Sequence, residues 1–218
     1  MLVALEALQS RDHQVTTAAT GEEGLALARA HRFDVVILDL GLPDIDGLDV
    51  CREIRTFSDV YIIILTGRTE ESDRIGGLVN GADDYVVKPF SPVELTARVE
   101  AMMRRTRTED PPEQIIEHGP VRIDRSSREV TVNDSAVKLT KIEYTILERL
   151  LDKGGAVATR QELAEACWGP YAEDGGHTMS VHIANLRKKI GCDGSLVATV
   201  RGIGYRLAVD SADGSVLT

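Results

Sequence analysis

The sequence predicts two domains, an α/β domain built on a doubly wound parallel sheet and, after it, an α+β domain. Strands alternate with helices through the first half of the 218 residues, which is typical of a parallel sheet covered on both faces. The second half begins with short β-like pieces and continues with helices. Residues 106–114 are polar, contain two consecutive prolines and lack periodicity, so they predict a linker. We expect domains at 1–105 and 115–210 and a flexible tail at 211–218.

The elements of the first half follow from apolar periodicity and from capping signals. Spaced leucines near the N-terminus indicate a helix, and residues 14–19 are typical of a strand. Thr20, with Glu23 three residues later, predicts the start of the next helix. Continuous Val, Ile and Leu content predicts buried strands at 33–40 and 60–66. The remaining predictions are a short strand at 84–87 and helices at 20–31, 46–57, 70–80 and 91–105.

Composition and charge exclude several classes of protein. No apolar stretch is long enough to span a membrane, and no signal-peptide pattern opens the sequence, so we expect a cytoplasmic protein. The three cysteines are far apart and form no CxxC motif, which predicts reduced thiols. The net charge of −10 argues against indiscriminate binding of nucleic acid by the whole molecule, but it leaves room for a local basic face.

Polar side chains stand at the ends of three predicted strands. These residues are Asp39, Thr66 and Lys88. The carboxyl ends of the strands form the ligand crevice of an open parallel sheet, so we expect the three side chains to meet. A carboxylate can act as a nucleophile toward phosphorus, while an ammonium group neutralises phosphoryl oxygens and a hydroxyl hydrogen-bonds one of them. The sequence therefore predicts an anion-handling site at this edge.

The segments "VVILDLGLPDIDG", "IIILTGRTE" and "GADDYVVKPFSPVEL" give the first half a resemblance to the receiver domain of two-component response regulators. The resemblance implies that Asp39 is the phosphoacceptor, Thr66 the switch hydroxyl and Lys88 the phosphate-contacting lysine. It implies that Tyr85 swings inward when Thr66 follows the phosphoryl group. It also implies that Asp39 and the backbone carbonyl of Gly41 bind Mg²⁺.

The sequence departs from the receiver pattern at its start. Receivers begin with a strand that ends in a pair of acids, which hold the Mg²⁺, whereas "LEALQSRDHQV" is similar to the end of the family's first helix. Glu6 and Asp12 do not replace the pair, because neither follows an apolar strand. With Asp39 as the only candidate carboxylate, we expect weakened Mg²⁺ binding and slow or absent phosphorylation. Three explanations stay open: a natural start farther upstream, a shortened chain whose gap a partner or swapped segment fills, and a protein that works without phosphate.

Receivers of this kind also pair through their fourth helix, fifth strand and fifth helix, with salt bridges between subunits. The charges that match those positions here have complementary signs, and they predict a symmetric homodimer. The predicted pairs are Arg74 with Glu94, Asp84 with Arg98, and Asp83 with Arg105.

The last helix of the second half, at residues 177–190, has an apolar face and a basic face and contains no acid. Its apolar stripe consists of Met179, Ile183, Leu186 and Ile190. These two faces are typical of a major-groove recognition helix, although a solvated basic face is the alternative for such a helix alone. The next segment, "TVRGIGYRL", predicts a hairpin with Arg201 beside a glycine turn. Helices followed by this hairpin favour a winged helix-turn-helix.

The segments "LTKIEYTILERLL", "RQELAEACWG" and "TVRGIGYRL" resemble the output domain of OmpR/PhoB-type regulators over residues 115–208. His182 and Asn185 are expected at base edges, and Arg201 is expected in the minor groove. Contacts to DNA phosphates are expected from Arg187, Lys188 and Thr199.

The sequence thus predicts a DNA-binding transcriptional response regulator and not an enzyme. A sensor histidine kinase would phosphorylate Asp39, and the resulting homodimer would occupy two tandem half-sites on double-stranded DNA. RNA polymerase is a candidate partner for the acidic loop at 169–176. The alternative is a phosphorylation-independent DNA-binding regulator whose incomplete receiver serves only as a dimerisation or interaction module. A phosphatase that uses Asp39 is disfavoured, because Gly41 stands where such enzymes carry a second acid.

Overall fold

The computed structural model describes residues 8, 11, 13–67, 81–104, 114–169, 176–191 and 196–208. The chain divides into two compact units, Met1–Thr108 with Cys167–Tyr171, and Glu109–Ala166 with Ala172–Thr218. Most of the first predicted helix, the predicted helix at 70–80, most of the predicted linker and the predicted tail lie outside the described residues. None of the described helices is both long enough and apolar enough to cross a membrane.

The first unit is built on a parallel sheet, which confirms the predicted fold class. Its described strands are β1 Val35–Asp39, β2 Tyr61–Thr66 and β3 Asp84–Val87, in the order β1-β2-β3. Its described helices are α1 Gly21–Ala30, α2 Gly47–Phe57 and α3 Pro92–Arg104. Every residue of β2 is buried, as the apolar run that precedes Thr66 predicts for the strand between two neighbours.

One predicted strand does not form. Residues 14–19 pair with no described strand, and most of their side chains are exposed. The prediction was wrong because a strand needs both a neighbouring strand and apolar surface to cover, and β1 pairs only with β2 among the described strands. Thr20 nevertheless caps α1 as predicted, since its side chain accepts a hydrogen bond from the amide of Glu23 at 3.2 Å.

The core of the first unit lies between α2 and the sheet. Val50, Cys51 and Ile54 of α2 pack with Leu38 of β1 and Ile62 of β2. Positions three and four apart on a helix share a side, so Ile54 lies on the same side of α2 as both Val50 and Cys51. Cys51 is a free cysteine, and burial raises the pKa of its thiol to about 11. The thiol is therefore protonated and unreactive at neutral pH.

A buried ion pair joins α2 to the chain that enters β3. The Arg55 guanidinium donates to the carbonyl oxygens of Gly81 at 2.7 Å and Val60 at 2.5 Å, and to Asp83 Oδ2 at 2.6 Å. The amide of Ile62 in β2 donates to the same Asp83 oxygen at 2.9 Å. Asp83 is fully buried and the Arg55 side chain nearly so. Removal of either charge would leave the other buried and uncompensated.

We expect Arg55→Ala to lower the free energy of unfolding by about 3–5 kcal/mol, because Asp83 would lose its buried counter-charge. Arg52→Ala is the matched control on the same helix. Arg52 pairs with Asp49, and both side chains are half exposed or more, so the expected loss is about 0–1 kcal/mol. Urea denaturation followed by circular dichroism measures both values. Equal losses would contradict the role assigned to the Arg55–Asp83 pair.

The second unit is an α+β domain with two antiparallel sheets. One sheet contains β4 Ile115–His118, β5 Val121–Asp124, β6 Glu129–Val132 and β7 Ser135–Ala136, in chain order. The other contains β8 Ala158–Thr159, β9 Val197–Val200 and β10 Gly204–Leu207, in the order β8-β10-β9. The described helices are α4 Lys141–Asp152, α5 Arg160–Trp168 and α6 Gly176–Ile190. These helices, followed by the β9–β10 hairpin, confirm the predicted winged helix-turn-helix class.

A buried carboxylate fixes α4 and α6 of this unit together. Thr140 and Glu143 form a capping box at the start of α4, in which the Thr140 amide donates to Glu143 Oε2 at 2.7 Å. Lys189 Nζ of α6 donates to the same oxygen at 2.6 Å. Glu143 is buried. The end of α6 is therefore held at the beginning of α4 by a charge-assisted hydrogen bond.

Candidate functional site

The first cluster of candidate residues lies where the strands of the parallel sheet end. β1 ends at Asp39, which is opposite Leu65, and β2 ends at Thr66, which is opposite Val87 of β3. Lys88 follows directly, and its amide donates to the Thr66 carbonyl oxygen at 2.7 Å. The structure thus brings the three residues singled out from the sequence to one edge of the sheet.

Asp39 and Lys88 form an ion pair at this edge. Lys88 Nζ donates to Asp39 Oδ2, and the Gly41 amide donates to Asp39 Oδ1 at 3.0 Å. Burial by itself would raise the pKa of the Asp39 carboxyl, but the hydrogen bonds from Lys88 and Gly41, with the charge of Lys88, lower this pKa overall. The Asp39 side chain is 24% exposed, so a reactant reaches it from solvent. Asp39 is therefore an accessible carboxylate at neutral pH, the form that acts as a nucleophile.

The two predicted switch residues lie on neighbouring strands. Thr66 is buried at the end of β2. Tyr85 of β3 is opposite Ile64, is partly buried and packs against the core of the unit. The Thr66 side chain is thus screened from bulk water at the same edge as Asp39, and the coupled movement of Thr66 and Tyr85 stays a prediction.

The loop that carries Gly41 is held in place by Asp44 and by close packing at Gly47. Asp44 accepts hydrogen bonds from the amides of Gly21 at 2.8 Å and Glu22 at 3.0 Å, and these bonds lower the pKa of its carboxyl. Gly47 packs so closely that a Cβ there would lie 2.8 Å from the Asp39 carbonyl oxygen. Asp44 was not predicted as a site-supporting residue, because its role depends on α1 lying next to this loop, which sequence spacing does not reveal.

The described residues do not by themselves fit a Mg²⁺ site. Mg²⁺ in proteins takes one or two carboxylates within an octahedral shell of oxygens. The predicted ligands are the Asp39 carboxylate and the Gly41 carbonyl, but the charge of Asp39 is balanced by Lys88. No group of three acidic, His or Cys residues converges within the described part of the chain. The described counter-ion of Asp39 is the ammonium group of Lys88.

Charges that were predicted to pair between subunits pair within the chain. Arg98 Nη1 donates to Asp84 Oδ2 at 2.8 Å, and Arg98 Nη2 donates to Glu94 Oε1 at 3.0 Å. The predicted Asp84–Arg98 bridge therefore forms inside one chain. The reason is geometric, because β3 and the first turns of α3 lie close enough for these side chains to meet. Burial raises the pKa of the Asp84 carboxyl even though Arg98 opposes this effect.

A second residue of the predicted dimer interface is also engaged within the chain. Asp83 is buried and its carboxylate binds Arg55, so it is not available to Arg105 of another subunit. Arg74 and Arg105 themselves lie outside the described residues.

The second cluster of candidate residues lies on α6 and on the hairpin that follows it. Met179, Ile183, Leu186 and Ile190 are buried, which confirms the predicted apolar face. The face is wider than predicted, because His182 is also buried, with 1% of its surface exposed. The prediction that His182 contacts a base edge is therefore wrong for this structure. Asn185 is partly buried and Lys188 is exposed.

Arg187, which is predicted to contact a phosphate, makes hydrogen bonds within the chain. Its Nε and Nη2 atoms donate to the Val197 carbonyl oxygen at 2.9 and 2.6 Å, and Nη2 also donates to Thr199 Oγ1 at 2.8 Å. These donors face β9 in the described structure, and the phosphate contact stays a prediction. Arg187 and Lys188 are adjacent basic residues of the same helix, so the sequence did not indicate that Arg187 bonds to β9.

Arg201 lies in the turn of the β9–β10 hairpin, and its side chain is exposed. Gly202 follows with φ +73°, a left-handed conformation that favours glycine. The turn is therefore tight, and it leaves Arg201 accessible at the tip. Thr199 is also exposed, although its hydroxyl oxygen accepts the hydrogen bond from Arg187.

We expect Lys88→Met to raise the pKa of the Asp39 carboxyl, because burial would remain after the strongest stabilising partner of the carboxylate was lost. Carbon-13 NMR titration of side-chain carboxyls measures the change. Asp124 of the second unit is the internal reference, since a hydrogen bond from Ser126 lowers its pKa independently of Lys88. An Asp39 titration that did not move would contradict the ion pair.

Each unit of the chain matches a known protein family. Residues 2–100 match the family model of the response regulator receiver domain. Residues 134–207 match the family model described as transcriptional regulatory protein, C terminal.

Similar proteins extend over most of the chain. The probable transcriptional regulator ycf27 of Porphyra purpurea is 42% identical over 203 residues, which are 88% of this chain and 84% of that protein. The response regulator ArlR of Staphylococcus aureus is 38% identical over 200 residues, which are 91% of this chain and 90% of that protein. A solved structure of a RitR mutant is 25% identical, with a TM-score of 0.73 and coverage of 94% of both chains.

Proposed function

Because the chain belongs to the OmpR/PhoB family of response regulators, we propose that phosphorylation of Asp39 by a sensor histidine kinase controls its binding to DNA. The chain is a two-component response regulator with a DNA-binding domain, and it is not an enzyme. The observation that carries the proposal is the Asp39–Lys88 ion pair at the accessible edge of the parallel sheet.

The geometry of this edge suits phosphoryl transfer to Asp39. A carboxylate oxygen of Asp39 attacks the phosphorus of a phosphohistidine, and the histidine nitrogen leaves with the electron pair of the broken P–N bond. Lys88 is already held at the carboxylate, so its ammonium group neutralises the added phosphoryl oxygens without a large movement. The hydroxyl of Thr66, at the end of the adjacent strand, supplies a hydrogen bond to one of these oxygens.

The switch acts through Thr66 and Tyr85 and ends in a homodimer. We place the subunit contact on the face formed by β3 and α3, where Val93 is 69% exposed beside Glu94. The Asp84–Arg98 bond is formed within the chain. A bridge between subunits therefore requires these two residues to exchange partners.

Receiver domains generally bind Mg²⁺ for phosphorylation. We propose that binding in this chain is weak. The described residues offer one carboxylate, that of Asp39, and Lys88 already balances its charge.

The proposed DNA partner is a double-stranded site with two tandem half-sites, one for each output domain of the dimer. Lys188 and Arg201 are exposed, and the sequence of α6 contains no acid to repel phosphates. Asn185 is the remaining candidate for a base edge, since an amide pairs with adenine. A DNA target implies a cytoplasmic location. A contact between loop 169–176 and RNA polymerase has no support among the described residues and is not part of the proposal.

A second candidate is a phosphorylation-independent DNA-binding regulator whose receiver serves only as a dimerisation module. The observation that favours it is the single carboxylate, already paired with Lys88, among the described residues at the sheet edge. The accessible and ionised state of Asp39 favours the phosphorylation-dependent function instead.

Prolonged incubation with acetyl phosphate and a high concentration of Mg²⁺ is expected to add the mass of one phosphoryl group slowly, because Asp39 is an accessible nucleophile but its Mg²⁺ binding is weak. Asp39→Asn is expected to abolish the adduct, since an amide does not attack phosphorus. Asp34→Asn is the matched control, because Asp34 is an exposed acid directly before β1, and it is expected to keep the adduct. Intact-mass spectrometry distinguishes the three proteins.

Two results of this experiment would count against the proposal. An adduct that persisted in Asp39→Asn would mean that another residue is the acceptor. An unsubstituted chain that gained no mass would favour the phosphorylation-independent alternative.

A further inference from the structure

The wing hairpin, which consists of β9, β10 and the turn between them, is fixed at its tip by the main chain. The Arg160 amide at the start of α5 donates to the Ile203 carbonyl oxygen at 3.2 Å. Gly204 packs so tightly against β8 that a Cβ there would lie 2.0 Å from the Ala158 carbonyl oxygen. The tip of the wing hairpin therefore has a defined position relative to α5.

The base of the wing hairpin is held by one side chain of α6. Arg187 reaches the Val197 carbonyl oxygen through two nitrogens and the Thr199 hydroxyl through one of them. Val197 and Thr199 are alternate residues of β9, so a single guanidinium group spans two residues of the strand. Arginine suits this task because its donors form a rigid planar fork, whereas lysine carries a single charged nitrogen on a flexible stem.

The basic residues at the end of α6 divide into anchors and accessible charges. Arg187 is bonded to β9, and Lys189 is bonded to Glu143 of α4. Lys188 and Lys189 are both exposed, but the ammonium group of Lys189 is paired with Glu143. Successive residues of an α-helix point about 100° apart, so three consecutive basic residues face three directions. Counting the basic residues of α6 therefore overestimates the positive charge that this helix can direct toward DNA.

We propose that Arg187 is a positioning residue for DNA binding. It fixes the wing hairpin to α6, so that Arg201 and Lys188 meet the duplex as one preorganised surface. This inference rests on the DNA-binding function proposed above. Without the bonds from Arg187, the wing hairpin would have to become ordered when DNA binds. The resulting loss of conformational entropy would weaken binding.

The proposal is tested with a duplex that the full wild-type chain enriches from a random-sequence library. Fluorescence anisotropy gives the Kd of this duplex between about 50 and 200 mM salt. Hydrogen–deuterium exchange of the free proteins reports on the amides of the wing hairpin without DNA. The variants are Arg187→Lys, Arg187→Met, Lys188→Met, Arg201→Ala and the double variant Arg187→Met/Arg201→Ala.

Both Arg187 variants are expected to weaken binding about tenfold with little change in the salt dependence, because the lost interaction is internal. The amides of β9 and β10 are expected to exchange faster in both, while those of β4–β6 stay unchanged. The loss caused by Arg201→Ala is expected to shrink in the Arg187→Met background, since an unanchored wing hairpin no longer presents Arg201. Lys188→Met is the matched control, and it should lower the salt slope by about one without changing the exchange.

A direct phosphate contact by Arg187 gives a different set of results. Arg187→Lys would then bind the duplex as tightly as the wild-type chain. Arg187→Met would lower the salt dependence of binding by about one, and the losses of binding free energy caused by Arg187→Met and Arg201→Ala would be additive. These three results together would overturn the proposal. Unchanged hydrogen–deuterium exchange of the wing hairpin in both Arg187 variants would also overturn it. If Arg187→Met does not fold, the affinity, slope and exchange of Arg187→Lys decide by the same criteria.

A different result is expected if the proposed DNA-binding function is wrong. A wild-type chain that enriched no duplex would refute that function, and with it the role of Arg187 in DNA binding. The exchange data would still decide whether Arg187 anchors the wing hairpin, because they are measured without DNA.

Discussion

The ion pair between Asp39 and Lys88 depends on one constraint, the parallel register of β1, β2 and β3. The strands run in the same direction with β2 in the centre, so their carboxyl ends meet at one edge of the sheet. Apolar packing of the fully buried β2 fixes this register. The edge itself stays partly open to water, and there hydrogen bonds from Lys88 and Gly41 outweigh burial and lower the pKa of the Asp39 carboxyl. The site therefore combines a rigid interior with an accessible nucleophile.

Charged side chains also set the geometry of both units away from this edge. Arg55 joins α2 to the chain before β3 through Asp83, and Lys189 joins α6 to α4 through Glu143. Arg187 joins α6 to β9 through a carbonyl oxygen. In each case a charged side chain forms a charge-assisted hydrogen bond to a polar group of a neighbouring element. Such a bond is directional, so it restricts the relative position of the two elements more than an apolar contact does. Charged groups that form these internal bonds are less available to bind other molecules.

Much of the fold was predictable from the sequence, because unbroken apolar strands and capped helices leave strong local signals. The meeting of Asp39, Thr66 and Lys88 followed from the rule that parallel strands end at one edge. Residues 14–19 were mispredicted, since alternation alone does not supply a pairing partner. His182 was misassigned, and the bonds of Arg187 to β9 were not foreseen, because helical periodicity places a residue on a face without showing how far neighbouring elements cover it. Complementary charges at Asp84 and Arg98 indicated pairing, but not that both partners belong to one chain.

Control of DNA binding by the Asp39 site is tested most directly by the Kd of the enriched duplex before and after treatment with acetyl phosphate. The wild-type chain and Asp39→Asn are measured together, and the phosphoryl occupancy of each sample is verified by its intact mass. We predict that treatment tightens binding at least about tenfold for the wild-type chain only, because a dimer engages two half-sites at once. Equal Kd values for the treated and untreated wild-type chain, at high phosphoryl occupancy, would contradict the account.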